Sequence, residues 1–315
     1  MDINTKDLSY QEYGYFSGIK TIADLLQNKG TRHFFFGLIS GVWIGFSYSV
    51  ALVASSTIEN PSLQSLVLGM IFPTVIWLIF FIGGQFFTAY TAILPYLYRG
   101  ILNKREALVG LMCVYVGNVL GSIIFSFIFA LAACLTNITG DGLGLNATGQ
   151  FIYNTGVKKI YYIGIINENL KGVGVWNGLT SSSILKTIAI CFFSGILCNS
   201  LVSLTIIGGK STKGSVWPMM MMWFILIFTF VTVGYQHSVA NWAIIGYIMM
   251  MWLFHFHTTA GVDVSLSLSM LMIVFNIIPC FLGNLVGASL MGEMLISINR
   301  EKWKEFIVTL KNAKE

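Results

Sequence analysis

The sequence predicts an all-α membrane protein with six transmembrane helices. Only 10% of its 315 residues are charged and 56% are hydrophobic, whereas a soluble domain has about 25% charged residues. The hydrophobic residues also form blocks that reach or exceed the roughly 20 residues that a helix needs to cross a bilayer. These two observations exclude soluble enzymes, nucleic-acid-binding proteins and disordered scaffolds.

Residues 1–33 are predicted to be a cytosolic N-terminus that carries an amphipathic helix. Apolar residues recur there at helical spacing, and the helix is expected to lie at the membrane surface. The apolar positions are Tyr15, Phe16, Ile19, Ile22, Ala23 and Leu26. Gly30 is expected to end this helix, and His33 is expected to lie at the membrane interface. No apolar segment follows a basic start, so no cleavable signal peptide is expected.

Six hydrophobic blocks form a predicted membrane domain from residue 34 to residue 298. The blocks are residues 34–54, 66–98, 107–136, 183–208, 216–254 and 267–297. Four of them have the length of ordinary spans, but the second and the fifth are too long for one simple crossing. The remaining residues, 299–315, form a predicted basic cytosolic tail.

Polar breaks interrupt the second and fifth blocks at matching positions. The first break consists of Gly83, Gly84, Gln85, Phe86, Phe87 and Thr88, and the second contains Gly234, Gln236, His237, Ser238 and Asn241. A break exposed to lipid would leave backbone N–H and C=O groups without partners, at a cost of several kcal/mol each. The broken helices are therefore expected to be buried or to line a cavity. Two such helices at equivalent places indicate a transport site.

The two halves of the chain also share a motif in their third spans. The motif contains Gly117, Asn118 and Gly121 in the first half, and Gly283, Asn284 and Gly287 in the second half. Because each half has three spans, the second half is inverted relative to the first, which predicts an inverted repeat. A single copy of the motif would be explained as well by helix packing as by a repeat. Helix packing is the role assigned to these six residues. A second copy with the same asparagine favours a true repeat.

The basic residues predict that both chain termini are cytosolic. They form four clusters: Lys6, Lys20, Lys29 and Arg32; Arg99, Lys104 and Arg105; Lys210 and Lys213; and Arg300, Lys302, Lys304, Lys311 and Lys314. An even number of crossings would put all four clusters on one side of the bilayer, as is typical of cytosolic loops. The chain is therefore expected to be a multi-pass protein of the plasma or cytoplasmic membrane.

His237 is the strongest candidate for a functional residue. A lone histidine in an apolar helix is most often a hydrogen-bonded core residue, but ionisable residues inside a membrane tend to mark ion or proton paths. Burial should favour the neutral imidazole, which has one donor and one acceptor. Such a group suits a small acid or its anion better than a cation.

Other polar residues give weaker signals. His255 and His257 do not share a helix face, and with only Asp263 nearby a wet outer vestibule is expected rather than a metal site. No nucleophile with an adjacent base and no phosphate-binding loop occurs within the spans. No metal, cofactor or enzymatic activity is therefore expected. Asn137 and Asn146 begin formal N-glycosylation sequons, whose use depends on the source cell.

Together these motifs resemble the formate/nitrite transporter family over about residues 14–298. The first break is similar to the family's Gly-[Ala/Ser]-[Asp/Glu]-Leu-Phe-Thr motif, and the second to its Gly-[Phe/Tyr]-Glu-His-Ser-x-Ala-Asn motif. Residues 195–199 are similar to its Gly-x-x-[Ala/Cys]-Asn element in the fourth span. The sixth-span motif is similar at Asn276, Pro279, Gly283, Asn284, Gly287 and Ala288.

The resemblance implies a homopentameric, aquaporin-like channel in the lipid bilayer, with a pore for small monovalent acids in each protomer. It implies that His237 is the central pore histidine and proton relay, with Thr88 and Asn199 as its polar companions. The implied constriction residues are Phe72 and Phe230 on the outer side and Phe86, Phe87 and Ile76 on the inner side. In the family's mechanism an anion enters a positive vestibule, gains a proton and crosses as the neutral acid.

Three positions depart from the family's pattern. Gln85 and Gln236 stand where most members have acidic residues, and Ser183 stands where most have an outer lysine. A glutamine can still hydrogen-bond to the backbone. Lys186 lies three residues after Ser183, on the same helix face, and is assigned as the vestibule charge. These changes concern the selectivity more than the fold.

The sequence therefore predicts a proton-coupled channel for small monocarboxylates, such as formate, acetate and lactate. A hydrosulfide or nitrite channel on the same scaffold is the nearest alternative. A water or glycerol pore would need two Asn-Pro-Ala motifs, and the only Asn-Pro pair, Asn60-Pro61, lies in a predicted loop. A membrane scaffold without transport activity would not need matched broken helices.

Overall fold

The computed structural model describes residues 7–26, 30–138, 142–160, 181–253 and 273–312. Within these ranges, six helical segments are long and apolar enough to span a membrane, which confirms the predicted fold class. The segments are Gly30–Ser55, Pro61–Phe81, Lys104–Ala133, Ile184–Ser211, Val216–Val233 and Ile273–Ile298.

The first half of the chain contains seven helices and one 3₁₀ turn in its described ranges. They are α1 (Tyr10–Leu26), α2 (Gly30–Ser55), α3 (Pro61–Ile71), α4 (Thr74–Phe81), α5 (Phe87–Tyr90), the 3₁₀ turn (Thr91–Ile93), α6 (Leu94–Tyr98) and α7 (Lys104–Ala133). The predicted second block is thus divided at residues 82–86. Asn60 and Asn103 begin α3 and α7, because each side-chain oxygen accepts hydrogen bonds from two backbone N–H groups of the first turn.

The second half contains the matching elements. They are α8 (Ala147–Ile160), α9 (Ser181–Val202), α10 (Leu204–Ser211), α11 (Val216–Val233), α12 (Ala240–Leu253), a π-helical turn (Ile273–Ile277), α13 (Ile278–Ile298) and α14 (Arg300–Asn312). Gly234 ends α11 with a φ of 80°, a left-handed conformation that costs glycine little. The predicted fifth block is therefore divided at its polar motif.

The third span of each half packs closely along the first span of the same half. A Cβ atom on Gly121 of α7 would lie 2.1 Å from the carbonyl oxygen of Leu38 in α2. In the second half, a Cβ atom on Gly287 of α13 would lie 2.3 Å from the carbonyl oxygen of Ile196 in α9. The other two motif glycines, Gly117 and Gly283, have similarly close contacts. These glycines lie where two backbones meet and no larger side chain fits.

A β-hairpin follows α7, which the all-helical prediction did not include. Its strands are β1 (Leu135–Ile138) and β2 (Gly142–Leu145), which pair antiparallel with Leu135 opposite Leu145. Asn146 then begins α8, because its Oδ1 atom accepts a hydrogen bond from the N–H group of Gly149 at 2.8 Å. The predicted sequon at Asn137 extends outside the described residues.

The N-terminal helix α1 packs against protein, whereas the sequence predicted that its apolar face lies at the membrane surface. Tyr15 is fully buried, and its ring contacts the rings of Tyr96 and Phe306 at 6.4 and 6.1 Å. A Cβ atom on Gly18 would lie 3.1 Å from the Cα atom of Ile207 in α10. Helix α1 is amphipathic as predicted, but α10 and α14 cover its apolar face. The predicted tail is itself largely the helix α14.

The contact between α1 and α14 places both ends of the described chain on one face, called here the terminal face. Lys302 Nζ lies 3.0 Å from Glu12 Oε1, and Gln11 Nε2 donates to Asn299 Oδ1 at 3.0 Å. The backbone N–H group of Ser9 and the ammonium group of Lys302 both hold the pKa of Glu12 below its ordinary value. The carboxylate of Glu12 is therefore charged at neutral pH.

His33 is fully buried, whereas the sequence predicted an interfacial position. Helix α2 begins at Gly30, four residues before the predicted span, so His33 lies inside the helix. Its Nδ1 atom lies 2.8 Å from Gln85 Oε1 in the first break. Gly110 of α7 leaves room for the ring, because a Cβ atom there would lie 3.3 Å from His33 Cδ2.

Candidate functional site

His237 lies in the second break and is 2% exposed. Its Nε2 atom lies 3.0 Å from Thr88 Oγ1, at the start of α5, so the two broken spans meet at this pair. The rings of Phe86 and Phe230 lie nearly parallel to the imidazole, with ring centroids 5.3 and 5.5 Å away. The histidine is thus bound to one hydroxyl group and flanked by two apolar rings.

The backbone of α12 determines which nitrogen of His237 carries the hydrogen. The N–H group of Ala240, the first residue of α12, donates to His237 Nδ1 at 3.1 Å. Because Nδ1 is an acceptor, the hydrogen of a neutral ring is on Nε2, which donates to Thr88 Oγ1. An imidazolium would place a second N–H group against that of Ala240, at the positive end of a helix dipole. The geometry therefore favours a neutral ring that donates from Nε2.

Asn118 binds the backbone of the first break. Its Nδ2 atom donates to the carbonyl oxygens of Gly37 and Gln85 at 2.8 and 2.9 Å. Its Oδ1 atom accepts from the N–H group of Phe87 at 3.0 Å. The N–H group of Gln85 donates to the carbonyl oxygen of Phe36 at 3.1 Å. Backbone groups that the broken helix leaves without partners are thus satisfied by protein.

Asn284 makes the corresponding contacts in the second break. Its Nδ2 atom donates to the carbonyl oxygens of Gly195 and Gln236 at 2.8 and 3.4 Å. Its Oδ1 atom accepts from the N–H group of Ser238 at 3.0 Å. These three contacts match those of Asn118 one for one, as an inverted repeat requires. Both asparagines were assigned to helix packing, and the structure gives them the further role of binding the breaks.

The two break glutamines have different partners. Gln85 Oε1 faces His33, whereas Gln236 Oε1 accepts from Asn241 Nδ2 at 2.7 Å. The same Nδ2 atom of Asn241 donates to Asn276 Oδ1 at 2.9 Å, in the π-helical turn. Both glutamines are buried, and each side-chain oxygen has a hydrogen-bond partner without the burial of a charge.

The predicted outer constriction forms a connected group of aromatic rings. The ring centroids of Phe72 and Phe230 are 6.4 Å apart in an edge-to-face arrangement, and Phe72 also contacts Tyr48 at 5.4 Å. Phe230 therefore bridges Phe72 and His237. Both phenylalanines are at most 3% exposed.

A cavity of about 250 Å³ adjoins Phe86 on the side of α1 and α10, and it is called here the terminal chamber. Its wall includes Ile76 and Phe86, two of the predicted inner constriction residues. Gly83 and Gly84 of the first break also line it. The backbone of Gly84 has a φ of 156°, and a Cβ atom there would lie 2.2 Å from Ser40 Oγ. Glycine is therefore required where the break passes α2.

Phe87, the third residue predicted for the inner constriction, is not among the residues that line the terminal chamber. Its ring stacks on that of Phe281 at 5.5 Å and contacts that of Tyr115 at 4.8 Å. The backbone explains the difference, because Phe86 is extended whereas Phe87 is the first residue of α5. Consecutive side chains therefore point in different directions, and Phe87 packs between α7 and α13.

Asn199 is linked to His237 through hydrogen bonds of Thr91 and Thr88. Its Nδ2 atom donates to Thr91 Oγ1 at 2.9 Å and to the carbonyl oxygen of Asn284 at 2.7 Å. Thr91 Oγ1 in turn donates to the carbonyl oxygen of Thr88 at 2.5 Å. Asn199 therefore supports the histidine's partner through Thr91. Sequence reasoning missed Thr91, although its hydroxyl group three residues after Thr88 was an available signal.

The remaining predicted residues are not part of this cluster. Lys186 is exposed near the start of α9. His255, His257 and Asp263 lie outside the described residues. In the part of the chain that the structure describes, no group of three or more His, Cys, Asp or Glu residues is arranged to hold a metal ion.

Comparison with known proteins gives a consistent set of similarities. The model of the family described as formate/nitrite transporter matches residues 19–298. A probable formate transporter from Methanothermobacter thermautotrophicus is 25% identical over 265 residues, which is 80% of this chain and 82% of that protein. The nitrite transporter NirC of Escherichia coli is 23% identical over 221 residues, or 70% of this chain and 69% of that protein.

Two solved structures have a similar fold. An ion channel of the FNT family superposes with a TM-score of 0.63 at 19% identity, over 89% of this chain and 94% of that one. A pentameric formate channel with formate bound superposes with a TM-score of 0.64 at 20% identity, over 87% and 98% of the two chains. At these identities the similarity establishes the arrangement of the helices.

Proposed function

The chain belongs to the formate/nitrite transporter family, and we propose that it is a proton-coupled channel through which small monocarboxylic acids cross as neutral molecules. The observation that carries this proposal is the buried pair of His237 and Thr88 beside the rings of Phe86 and Phe230. The pair offers hydrogen bonds in a passage that is otherwise apolar.

The surroundings of this pair favour a neutral acid over its anion. Moving an isolated carboxylate into an apolar environment costs tens of kcal/mol, whereas an uncharged polar group costs a few. The Nε2–H group of His237 binds Thr88 Oγ1, which leaves the hydroxyl hydrogen of Thr88 for the carbonyl oxygen of the acid. In this proposal the acid takes its proton before it reaches the rings, and the exposed Lys186 attracts the anion on the opposite face.

Formate, acetate and lactate are the proposed substrates. Nitrite is the alternative with specific support, because a relative that matches 70% of this chain is named a nitrite transporter. Hydrosulfide is a further candidate on the same physical grounds, since it also forms a small neutral acid. Competition among these ions separates the candidates.

The proposed assembly is a homopentamer with both chain termini in the cytosol. The pentamer is supported by the pentameric formate channel of similar fold and by apolar side chains on the outside of the protomer, such as Phe35 and Ile128, which are 60% and 59% exposed. The cytosolic orientation is supported by the cationic residues Lys210 and Lys213 near α1 on the terminal face.

Uptake of labelled formate into proteoliposomes tests the proposed function. We expect saturable uptake that an inward proton gradient stimulates, with acetate competing more strongly than nitrite or hydrosulfide. The variant His237→Leu, assembled like the wild type, should lose most of this uptake. Gradient-insensitive uptake, or equal uptake by the variant, would contradict the proposal, and stronger competition by nitrite would favour the alternative.

A further inference from the structure

Three hydrogen bonds hold Gln85 in the first break. Its N–H group donates to the carbonyl oxygen of Phe36 at 3.1 Å, and its carbonyl oxygen accepts from Asn118 Nδ2 at 2.9 Å. Its side-chain oxygen Oε1 lies 2.8 Å from His33 Nδ1. The first two contacts bind the backbone, so the contact with His33 is the one that holds the side chain. Phe86 follows Gln85 directly in the chain.

His33 is the donor of this hydrogen bond. An amide oxygen has no hydrogen, so the hydrogen of the pair is on Nδ1 of the imidazole. The ring is fully buried, and Gly110 of α7 lies beside it where a Cβ atom would come within 3.3 Å of Cδ2. The imidazole therefore needs a particular residue from each of two helices, His33 from α2 and Gly110 from α7.

Comparison of the two repeats shows that this hydrogen bond is particular to the first break. The position equivalent to His33 is Cys191, because each lies four residues before the glycine whose carbonyl oxygen binds the motif asparagine. The position equivalent to Gly110 is Asn276, which also lies eight residues before the motif asparagine of its half. Asn276 donates to Cys191 Sγ at 3.4 Å, whereas Gln236 takes its donor from α12. The breaks share the contacts of their asparagines, and the histidine is an addition in the first.

The backbone before Gln85 restrains its direction only weakly. Gly83 and Gly84 precede it with φ angles of 125° and 156°, which are conformations that suit glycine and few other residues. Glycine also has more backbone freedom than any other residue. After these two residues the chain is extended at Phe86, with a φ of −112° and a ψ of 109°. The bound side chain of Gln85 therefore supplies a restraint that the glycines before it do not.

We propose that His33 is a positioning residue for Phe86, which through Gln85 limits the size of the acid that the passage admits. Phe86 lines the terminal chamber, and its ring lies nearly parallel to that of His237 with centroids 5.3 Å apart. A ring in this place closes the terminal side of the histidine site, so its freedom to move determines how large a molecule can pass. The inference rests on the proposed function and deepens it, because it names a residue outside the chamber wall that controls the choice of substrate.

Removing the donor should relax the selection by size. In His33→Leu the side-chain oxygen of Gln85 loses its partner at nearly constant side-chain volume, and a buried amide group that lacks a partner moves to regain one. Phe86 moves with it, so uptake of the bulky acid 2-hydroxy-2-methylpropanoate should rise at least fivefold relative to uptake of formate. An apolar site distinguishes molecules that differ by one methylene group by ~10–200-fold, so a displaced ring can lose selectivity of this size.

Three further variants separate the hydrogen bond from the bulk of the ring. His33→Asn keeps a donor two bonds from Cβ, where histidine has Nδ1, and should therefore keep the uptake ratio of the wild type. Gln85→Met removes the other partner and should raise the ratio as His33→Leu does, with no further rise in the double variant. Ser122→Ala is the matched control, because it removes a buried hydrogen bond of 3.2 Å between Ser122 of α7 and the carbonyl oxygen of Gly41 in α2.

The ratio is measured as uptake of the two labelled acids into proteoliposomes under one inward proton gradient, after subtraction of the uptake by protein-free vesicles. We expect a raised ratio in His33→Leu and Gln85→Met, and the wild-type ratio in His33→Asn and Ser122→Ala. An unchanged ratio in Gln85→Met or in folded His33→Leu would overturn the proposal. A raised ratio in His33→Asn would overturn it as well, because the bulk of the ring would then be what matters.

A label on Phe86 separates this inference from the proposed function. With 4-fluorophenylalanine in place of Phe86, fluorine NMR reports the position of the ring without any transport. We expect the same resonance in the otherwise wild-type protein and in His33→Asn, and a shifted or split resonance in His33→Leu. This pattern without uptake of either acid would overturn the channel function and support the positioning role. Formate uptake with a resonance that His33→Leu does not change would overturn the positioning role and leave the channel function standing.

Discussion

At the scale of residues, the site combines positions that the sequence identifies with contacts that it does not. The Gln-His-Ser motif and its partner Thr88 could be found because polar residues inside an apolar span stand out. The tautomer of His237 could not be found, because its Nδ1 atom binds a backbone N–H group that every residue type shares. Phe86 and Phe87 look equivalent in sequence, and only the start of α5 between them separates their directions.

Removing the hydroxyl group of Thr88 tests the partner of His237. In Thr88→Val the Nε2–H group loses its acceptor at nearly constant side-chain volume, and the loss of one buried hydrogen bond costs ~1–1.5 kcal/mol. We expect formate uptake to fall about tenfold. Thr229→Val is the control, because within the described residues Thr229 Oγ1 bonds only to the carbonyl oxygen of Ile225 in its own helix. Equal uptake rates in both variants would show that the hydroxyl group of Thr88 plays no part.

Replacing Asn284 should destabilise the protein strongly. In Asn284→Leu the carbonyl oxygens of Gly195 and Gln236 and the N–H group of Ser238 lose their partner inside the membrane. We expect the free energy of unfolding to fall by at least ~3 kcal/mol, measured as a lower melting temperature in detergent. Ser289→Ala is the control, because in the part of the chain that the structure describes the hydroxyl group of Ser289 bonds only to the carbonyl oxygen of Leu285 in α13. A variant as stable as this control would mean that Asn284 does not support the break.

At the scale of elements, the sequence correctly places six spans and two breaks but not how the helical ends pack. Hydrophobic blocks have a length that the bilayer dictates, so they are visible in one sequence. Helix α1 was expected at the membrane surface. The sequence pattern could not distinguish this from packing against protein, because an apolar helix face has the same residues whether lipid or protein covers it. The partners that cover it, such as Phe306, lie nearly 300 residues away in the chain.

The close contact of α2 and α7 predicts a steric effect at Gly121. In Gly121→Ala the new methyl group would meet the carbonyl oxygen of Leu38, which is backbone and cannot rotate away. We expect the two helices to separate, with loss of folded protein on size-exclusion chromatography. Gly45→Ala is the comparison, because the nearest atoms there belong to the side chain of Phe125 at 3.0 Å, so that a far smaller shift than at Gly121 makes room for the methyl group. Normal folding of Gly121→Ala would contradict the observed packing.

The ion pair between α1 and α14 predicts how their contact depends on pH. Because the pKa of Glu12 is lowered on folding from its ordinary value of about 4.5, its contribution is present above that value and is lost as the pH falls through the lowered pKa. The distance between spin labels on Lys20 and Lys304 should therefore stay constant from neutral pH to about pH 5. The distribution of these distances should broaden only in more acidic solution, and Glu12→Gln should remove this dependence on pH. Broadening near pH 6 would assign the effect to another group.

At the scale of the whole molecule, the inverted repeat explains why the two breaks meet at one point. Asn118 and Asn284 bind the two breaks by the same three contacts, and this places Thr88 and His237 within 3.0 Å of each other. The repeat was predictable from the paired Gly-Asn motifs. The partner of Gln85 was not, because His33 lies 52 residues away from it in the chain.

The central claim, that the substrate crosses without net charge, is tested most directly by formate uptake at clamped membrane potentials. Proteoliposomes with a fixed pH gradient would be held at 0 and −100 mV with valinomycin and potassium. Neutral acid flux should be equal at both potentials. For an anion, a change of 100 mV in the membrane potential is worth about 2.3 kcal/mol per charge, which changes the equilibrium formate gradient roughly 50-fold. A formate flux that responds to the potential in this way would contradict the account.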